Sequence, residues 1–94
     1  MHTTTTLTTA PFEQGFLNLS NQFIDLVGNH LEPITIYLGN NREPIPGTLY
    51  TANPINTPRI RGGNTMSEWF LQNCEVRQIL NVSIINPVTF WVYL

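Results

Sequence analysis

The sequence predicts an all-β fold, a small single-domain sandwich or barrel of five to eight short strands. It allows one N-terminal helix and adds an extended N-terminal arm. Three observations predict this. Short runs of β-branched and aromatic residues recur along the chain, turn-forming residues punctuate them, and the chain ends on such a run. In that last run, Asn86-Pro87 marks a turn, and Val88, Phe90, Val92 and Leu94 then alternate with Thr89, Trp91 and Tyr93. Large side chains on both faces call for cover on two sides, and a second copy of the chain is one candidate for it.

Residues 1–12 form the arm and residues 13–94 the β domain. Six of the seven positions from Thr3 to Thr9 are threonine, and Leu7 is the one large apolar residue between Met1 and Phe12. Threonine favours extended backbone, so this segment suits strand addition to a neighbouring subunit's sheet edge. Thr3, Thr4, Thr5, Thr6, Leu7, Thr8, Thr9 and Phe12 are therefore candidate assembly contacts, with Leu7 and Phe12 selecting the register. Trp91 and Tyr93 form a second contact.

From residue 13 to residue 31 two readings compete. Phe16, Leu19, Phe23, Leu26 and Val27 have helical spacing, ended by Gly28-Asn29 and Pro33. The preferred alternative is two short strands, Phe16–Leu19 and Gln22–Val27. Ile34–Leu38 alternates cleanly as a strand before the turn Gly39-Asn40-Asn41. Pro44 and Pro46 confine the next residues to an edge or a loop, and Gly47–Thr51 is a further strand. A long loop spans residues 52–65. Ser67–Ile85 reads as one strand or two, with Asn73 and Asn81 as places for a bulge or turn.

Composition narrows the function. Charged residues make up 11% of the chain against a usual share of about 25%. Lysine is absent, and asparagine and threonine fill nearly a quarter of the positions. A weakly charged amide and hydroxyl surface suits close packing in an assembly. Arg42, Arg59, Arg61 and Arg77 face six carboxylates, and the formal net charge is −2, a poor start for a nucleic-acid binder. No apolar run is long enough for a transmembrane helix, and no charged region precedes one as in a signal peptide.

Side-chain clusters with catalytic spacing are missing. His2 and His30 stand apart, and Cys74 has no second cysteine and no ligand at metal-binding spacing. No serine lies in a nucleophile elbow, and the carboxylates are scattered. The expectation is a protein that is not an enzyme, with no cofactor, metal or small-molecule substrate. One basic cluster stands out, Arg59-Ile60-Arg61-Gly62-Gly63 with Trp69 downstream. Arg59 and Arg61 are candidate anion or single-strand contacts, with an aromatic platform nearby.

Phe16-Leu17-Asn18, Ile34-Thr35-Ile36-Tyr37-Leu38, Asn40 and Gly47 resemble the start of an Hfq-type Sm-like domain. The resemblance lies within residues 16–47, about a third of the chain. It implies a small barrel that forms rings and binds RNA, preceded by a helix. Where that family carries a lysine–histidine pair for uridine, this chain has Val76-Arg77-Gln78, and the family's basic rim is missing.

These readings lead to a structural, self-assembling subunit of a filament, appendage, coat or virion, joined non-covalently through the arm and sheet edges. Its partners would be copies of itself. Such a protein belongs in an extracellular surface structure or a virion. The alternative is an Sm-like, ring-forming RNA-binding protein.

Overall fold

The computed structural model describes residues 1–52 and 57–94. Seven strands form one sheet: β1 (His2–Thr6), β2 (Phe16–Asn18), β3 (Pro33–Leu38), β4 (Glu43–Tyr50), β5 (Arg59–Arg61), β6 (Ile79–Asn86) and β7 (Thr89–Tyr93). Helix α1 (Thr9–Gln14) joins β1 to β2, and α2 (Asn64–Asn73) joins β5 to β6. The sheet order is β1-β6-β7-β3-β4-β5-β2, with β3 and β7 parallel and the other pairs antiparallel. The sheet curls into a nearly closed barrel. Its two edge strands meet where the Thr5 hydroxyl donates to the Asn18 carbonyl at 3.0 Å. The expected all-β barrel is therefore what the chain forms.

The alternation written in the strands fills the inside. Ile34, Ile36 and Leu38 from β3, Leu80, Val82 and Ile84 from β6, and Phe90 and Val92 from β7 all point into one core. Leu17, Ile60 and Leu49 sit side by side across β2, β5 and β4, each essentially inaccessible to water. Met66 and Phe70, one helical turn apart on α2, are fully buried and pack into the same core.

Several expectations are corrected. The threonine segment is not a free arm here. It is β1, paired with β6 of the same chain from His2↔Ser83 to Thr6↔Ile79. Thr3 and Thr5 lie opposite Val82 and Leu80 on the inward side, and Leu7 beyond them is fully buried. The physical reason is Leu7, whose side chain finds its apolar cover inside its own domain. The boundary drawn after residue 12 falls within α1, where Phe12 packs against the core.

Of the two strands preferred between residues 16 and 27, the first exists as Phe16–Asn18. The second is a 3-10 helix, Asn21–Leu26, which turns Phe23 into the core. Phe16–Asn18, which the Sm-like resemblance links to a domain opening with a helix, is thus a strand. Residues 64–73 are helical, not extended. Strand-like alternation of Trp69, Leu71 and Asn73 masked a four-residue repeat, Met66, Phe70, Cys74, that faces the core, while Leu71 is left 71% exposed. The irregularity in β6 falls between Ile84 and Asn86, not at Asn81.

Part of the predicted loop 52–65 is strand β5, and residues 53–56 lie outside the described residues. Pro44 and Pro46 lie inside β4, opposite Tyr37 and Thr35. They are tolerated because β5 pairs only with Thr48–Tyr50, so the proline half of β4 has β3 as its one strand neighbour among the described residues.

Candidate functional site

Because side chains alternate across a strand, the inward row Leu17–Ile60–Leu49 dictates what points outward beside it. Two outward rows cross β2, β5 and β4. One is Phe16–Arg61–Thr48 and the other Asn18–Arg59–Tyr50. Pro44 and Pro46 continue the outward side of β4. No carboxylate occupies an outward position on these three strands. Glu43, at the start of β4, follows the inward alternation with Ile45 and Leu49; Glu13, Glu68 and Glu75 lie on or beside the helices, Asp25 lies in the 3-10 helix Asn21–Leu26, and Glu32 lies in the loop next to His30, its Oε1 accepting from the Asn29 N–H. A chain with net negative charge thus presents one sheet face whose only formal charges are two guanidinium groups.

The two arginines are held differently. Arg59 is half-buried; its Nε donates to Asn18 Oδ1 at 2.8 Å, and its guanidinium carbon lies 4.2 Å above the Phe16 ring. Phe16 is buried yet stands outside the main apolar core, so it serves as the floor beneath this guanidinium. Arg61 is exposed, and no hydrogen bond or ion pair among the described residues fixes its side chain. Beside it runs a shallow groove of about 260 Å³, lined by Pro46, Gly47, Thr48, Tyr50, Arg61, Gly62 and Gly63. Gly47 belongs to the inward row of β4, where a Cβ would press on the Arg61 carbonyl and on the core side chain of Ile36.

Loop residues complete the face. His30 meets the Tyr50 ring edge-on, with centroids 5.9 Å apart. Its Nδ1 accepts from the backbone N–H groups of Thr51 (3.1 Å) and Ala52 (3.2 Å), which places the ring proton of the neutral imidazole on Nε2. Gly15 anchors the corner behind the groove. In a left-handed conformation (φ 75°), it accepts from the N–H groups of both Gly62 and Gly63 at 2.9 and 3.0 Å. The face therefore offers guanidinium, hydroxyl, amide and aromatic groups over a short stretch of sheet.

The other predicted residues lie elsewhere. Trp91 and Tyr93 point outward from β7 and stack on each other at 4.1 Å. Trp91 donates its indole N–H to the Gly39 carbonyl at 2.7 Å, and Arg42 covers its ring at 4.1 Å. Thr4 and Thr6 point outward from β1, and Thr8 precedes α1, whose first residue is Thr9. A larger hollow, about 330 Å³, lies between the β3–β4 turn and α2. Its lining includes Glu43, Trp69 and several amides but no cation. Cys74 is buried at the end of α2, and burial pushes its thiol up to about 11 from a usual 9.0, so it is no nucleophile at neutral pH. Among the described residues, no three His, Cys, Asp or Glu side chains gather as a metal site would require.

Sequence reasoning singled out Arg59 and Arg61 but missed Asn18, Phe16, Tyr50, Thr48 and His30. Their signal was parity: both arginines flank an isoleucine, as Phe16 and Asn18 flank a leucine and Thr48 and Tyr50 flank another. Trp69, the aromatic expected near the arginines, lies on α2 by the larger hollow.

No protein-family model matches the sequence, and none of the curated proteins is significantly similar to it. Among solved structures, the N-terminal domain of Helicobacter pylori LlaJI.R1 shares the fold, with a TM-score of 0.70 at 8% sequence identity. The match covers 98% of this chain and 78% of that one. At this identity the likeness is one of architecture: a small, nearly closed β-barrel.

Proposed function

We propose that this chain is a nucleic-acid-contacting barrel domain that meets the sugar–phosphate backbone with the outward side of β2, β5 and β4. The observation that carries the reading is that the outward positions of β2, β5 and β4 hold Arg59 and Arg61 and no carboxylate, in a chain with more carboxylates than cations. Phosphate affinity depends on local cations and on the absence of nearby like charge to the ligand, more than on a domain's total charge. Thr48, Tyr50 and Asn18 add hydrogen-bonding groups, and His30 an N–H. This develops the RNA-binding alternative of the sequence and moves the contact from a loop to a strand.

Each guanidinium group that meets a phosphate should add about −0.9 to the log–log slope of binding against salt on duplex and somewhat less on single strands, so the slope should be no steeper than about −2. Fluorescence anisotropy with labelled duplex and single-stranded oligonucleotides, over a salt series starting at about 50 mM, measures it. Arg61→Ala should weaken binding to all sequences alike and reduce the slope by about one. Absence of binding to every oligonucleotide at the lowest salt would sink the reading.

A second reading keeps the self-assembling subunit. Among the described residues, the outward positions of β1, β6 and β7 hold no Asp, Glu, Lys or Arg of their own, although Arg42 lies over Trp91, and Ile79 is 63% and Ile85 50% exposed beside Thr4, Thr6 and Tyr93. Copies of the chain would meet through this side. A light-scattering mass that stays at 10.7 kDa as concentration rises would exclude it.

A further inference from the structure

We infer that Arg59 reads a guanine edge, with Asn18 as its positioning residue, while Arg61 contacts phosphate. The inference rests on the nucleic-acid reading above and goes beyond it by assigning the two arginines different tasks. A phosphate-contacting arginine needs charge and reach, and free rotation does it no harm. A base-reading arginine needs its planar fork fixed in advance, because specificity comes from two parallel hydrogen bonds. Arg61, exposed and held by no side chain among the described residues, suits the first task.

Arg59 is built for the second. Its Nε–H is spent on Asn18 Oδ1 at 2.8 Å, and its plane is supported by Phe16 at 4.2 Å. A guanidinium has five N–H donors, so engaging Nε leaves the terminal pair, Nη1 and Nη2, as an end-on fork. That fork matches the two acceptors, O6 and N7, on the Hoogsteen edge of guanine. The Asn18 backbone is fixed, since its carbonyl accepts from the Thr5 hydroxyl at 3.0 Å and it pairs with Arg59 in register, so its short side chain has little reach in which to wander. The side chain that aims the arginine thus sits on the strand next to it.

The test is a binding selection from a pool randomised over about 20 positions, in duplex and single-stranded form, using the full chain and three variants. The wild-type protein should enrich a fixed guanine, and replacing it in the selected site should weaken binding about 10- to 100-fold. Arg59→Gln removes the fork and the charge, so its affinities for the selected site and for the same site with its guanine replaced should become equal. Asn18→Ala removes only the tether and should reduce the preference without changing the salt slope. Arg61→Lys should retain it. Thermal unfolding of each variant shows whether the barrel is intact. Binding with no enriched guanine, or an Arg59→Gln protein that still prefers guanine, overturns the assignment and leaves the nucleic-acid reading standing. No binding to any pool overturns both.

Discussion

At the scale of the residue, burial and backbone geometry decide what each position tolerates. Cys74 is the clearest titrating group. Its thiol is held neutral up to about 11 in the folded state against 9.0 when exposed, so below pH 9 both states are neutral and stability is unaffected. Between pH 9 and 11 the unfolded chain loses the proton first, so the folded state should lose stability across that window, by about 1 kcal/mol for a thiol that is only partly shielded from water. Urea titrations at pH 8 and 10.5 measure it, and Cys74→Ser or Cys74→Ala should remove that component of the pH dependence. Gly15 is the most constrained backbone position at the site. At φ 75° a Cβ would collide with the Gly63 carbonyl, so Gly15→Ala should cost about 2 kcal/mol or more. For a domain this size the melting temperature should fall by about 8–16 °C, measurable by circular dichroism. Glycine at position 15 was visible in the sequence. Its reason was not, because the colliding carbonyl belongs to a residue 48 positions away, a distance that the numbering gives and only the fold closes.

At the scale of the element, legibility followed periodicity. Ile34–Leu38 and the terminal run around Phe90 alternate cleanly, and both became strands as read. Helix α2 was hidden because Trp69 and Leu71 offered a second, strand-like alternation, and its capping position, Gly63, is not a residue type that announces a helix strongly. Strand β5 was hidden by its three-residue length and by the glycines that follow it. The β1 segment was read as extended, and it is extended; its partner could not be read, because pairing with β6 spans most of the chain. That pairing changes what truncation should do. Removing residues 1–7 takes away Leu7, worth about 2–5 kcal/mol by itself, and uncovers the edge of β6. The truncated protein should melt lower and aggregate, as read by thermal denaturation with light scattering. A stable, soluble truncation with the wild-type melting temperature would count against β1 as an integral strand.

At the scale of the whole molecule, the candidate site could be half read. Arg59 and Arg61 were singled out as a cluster, but the surface that gives them meaning is assembled from three strands distant in sequence. Total charge carries no information on that surface, since a sum says nothing about which side of a barrel each charge faces. The radius of gyration, 11.7 Å, is close to the roughly 12 Å expected of a compact chain of this length. The last consequence concerns the place where the first and second strands meet. Neighbouring staves of this small cask are held by ladders of backbone hydrogen bonds, whereas among the described residues the joint between the first and second strands is fastened by the hydroxyl of Thr5. The same joint borders the residue that aims Arg59. Under the assignment proposed for Arg59, a loosening of the cask at this stave would slacken the fork while the apolar filling stayed in place, so recognition should fade on warming before the barrel melts.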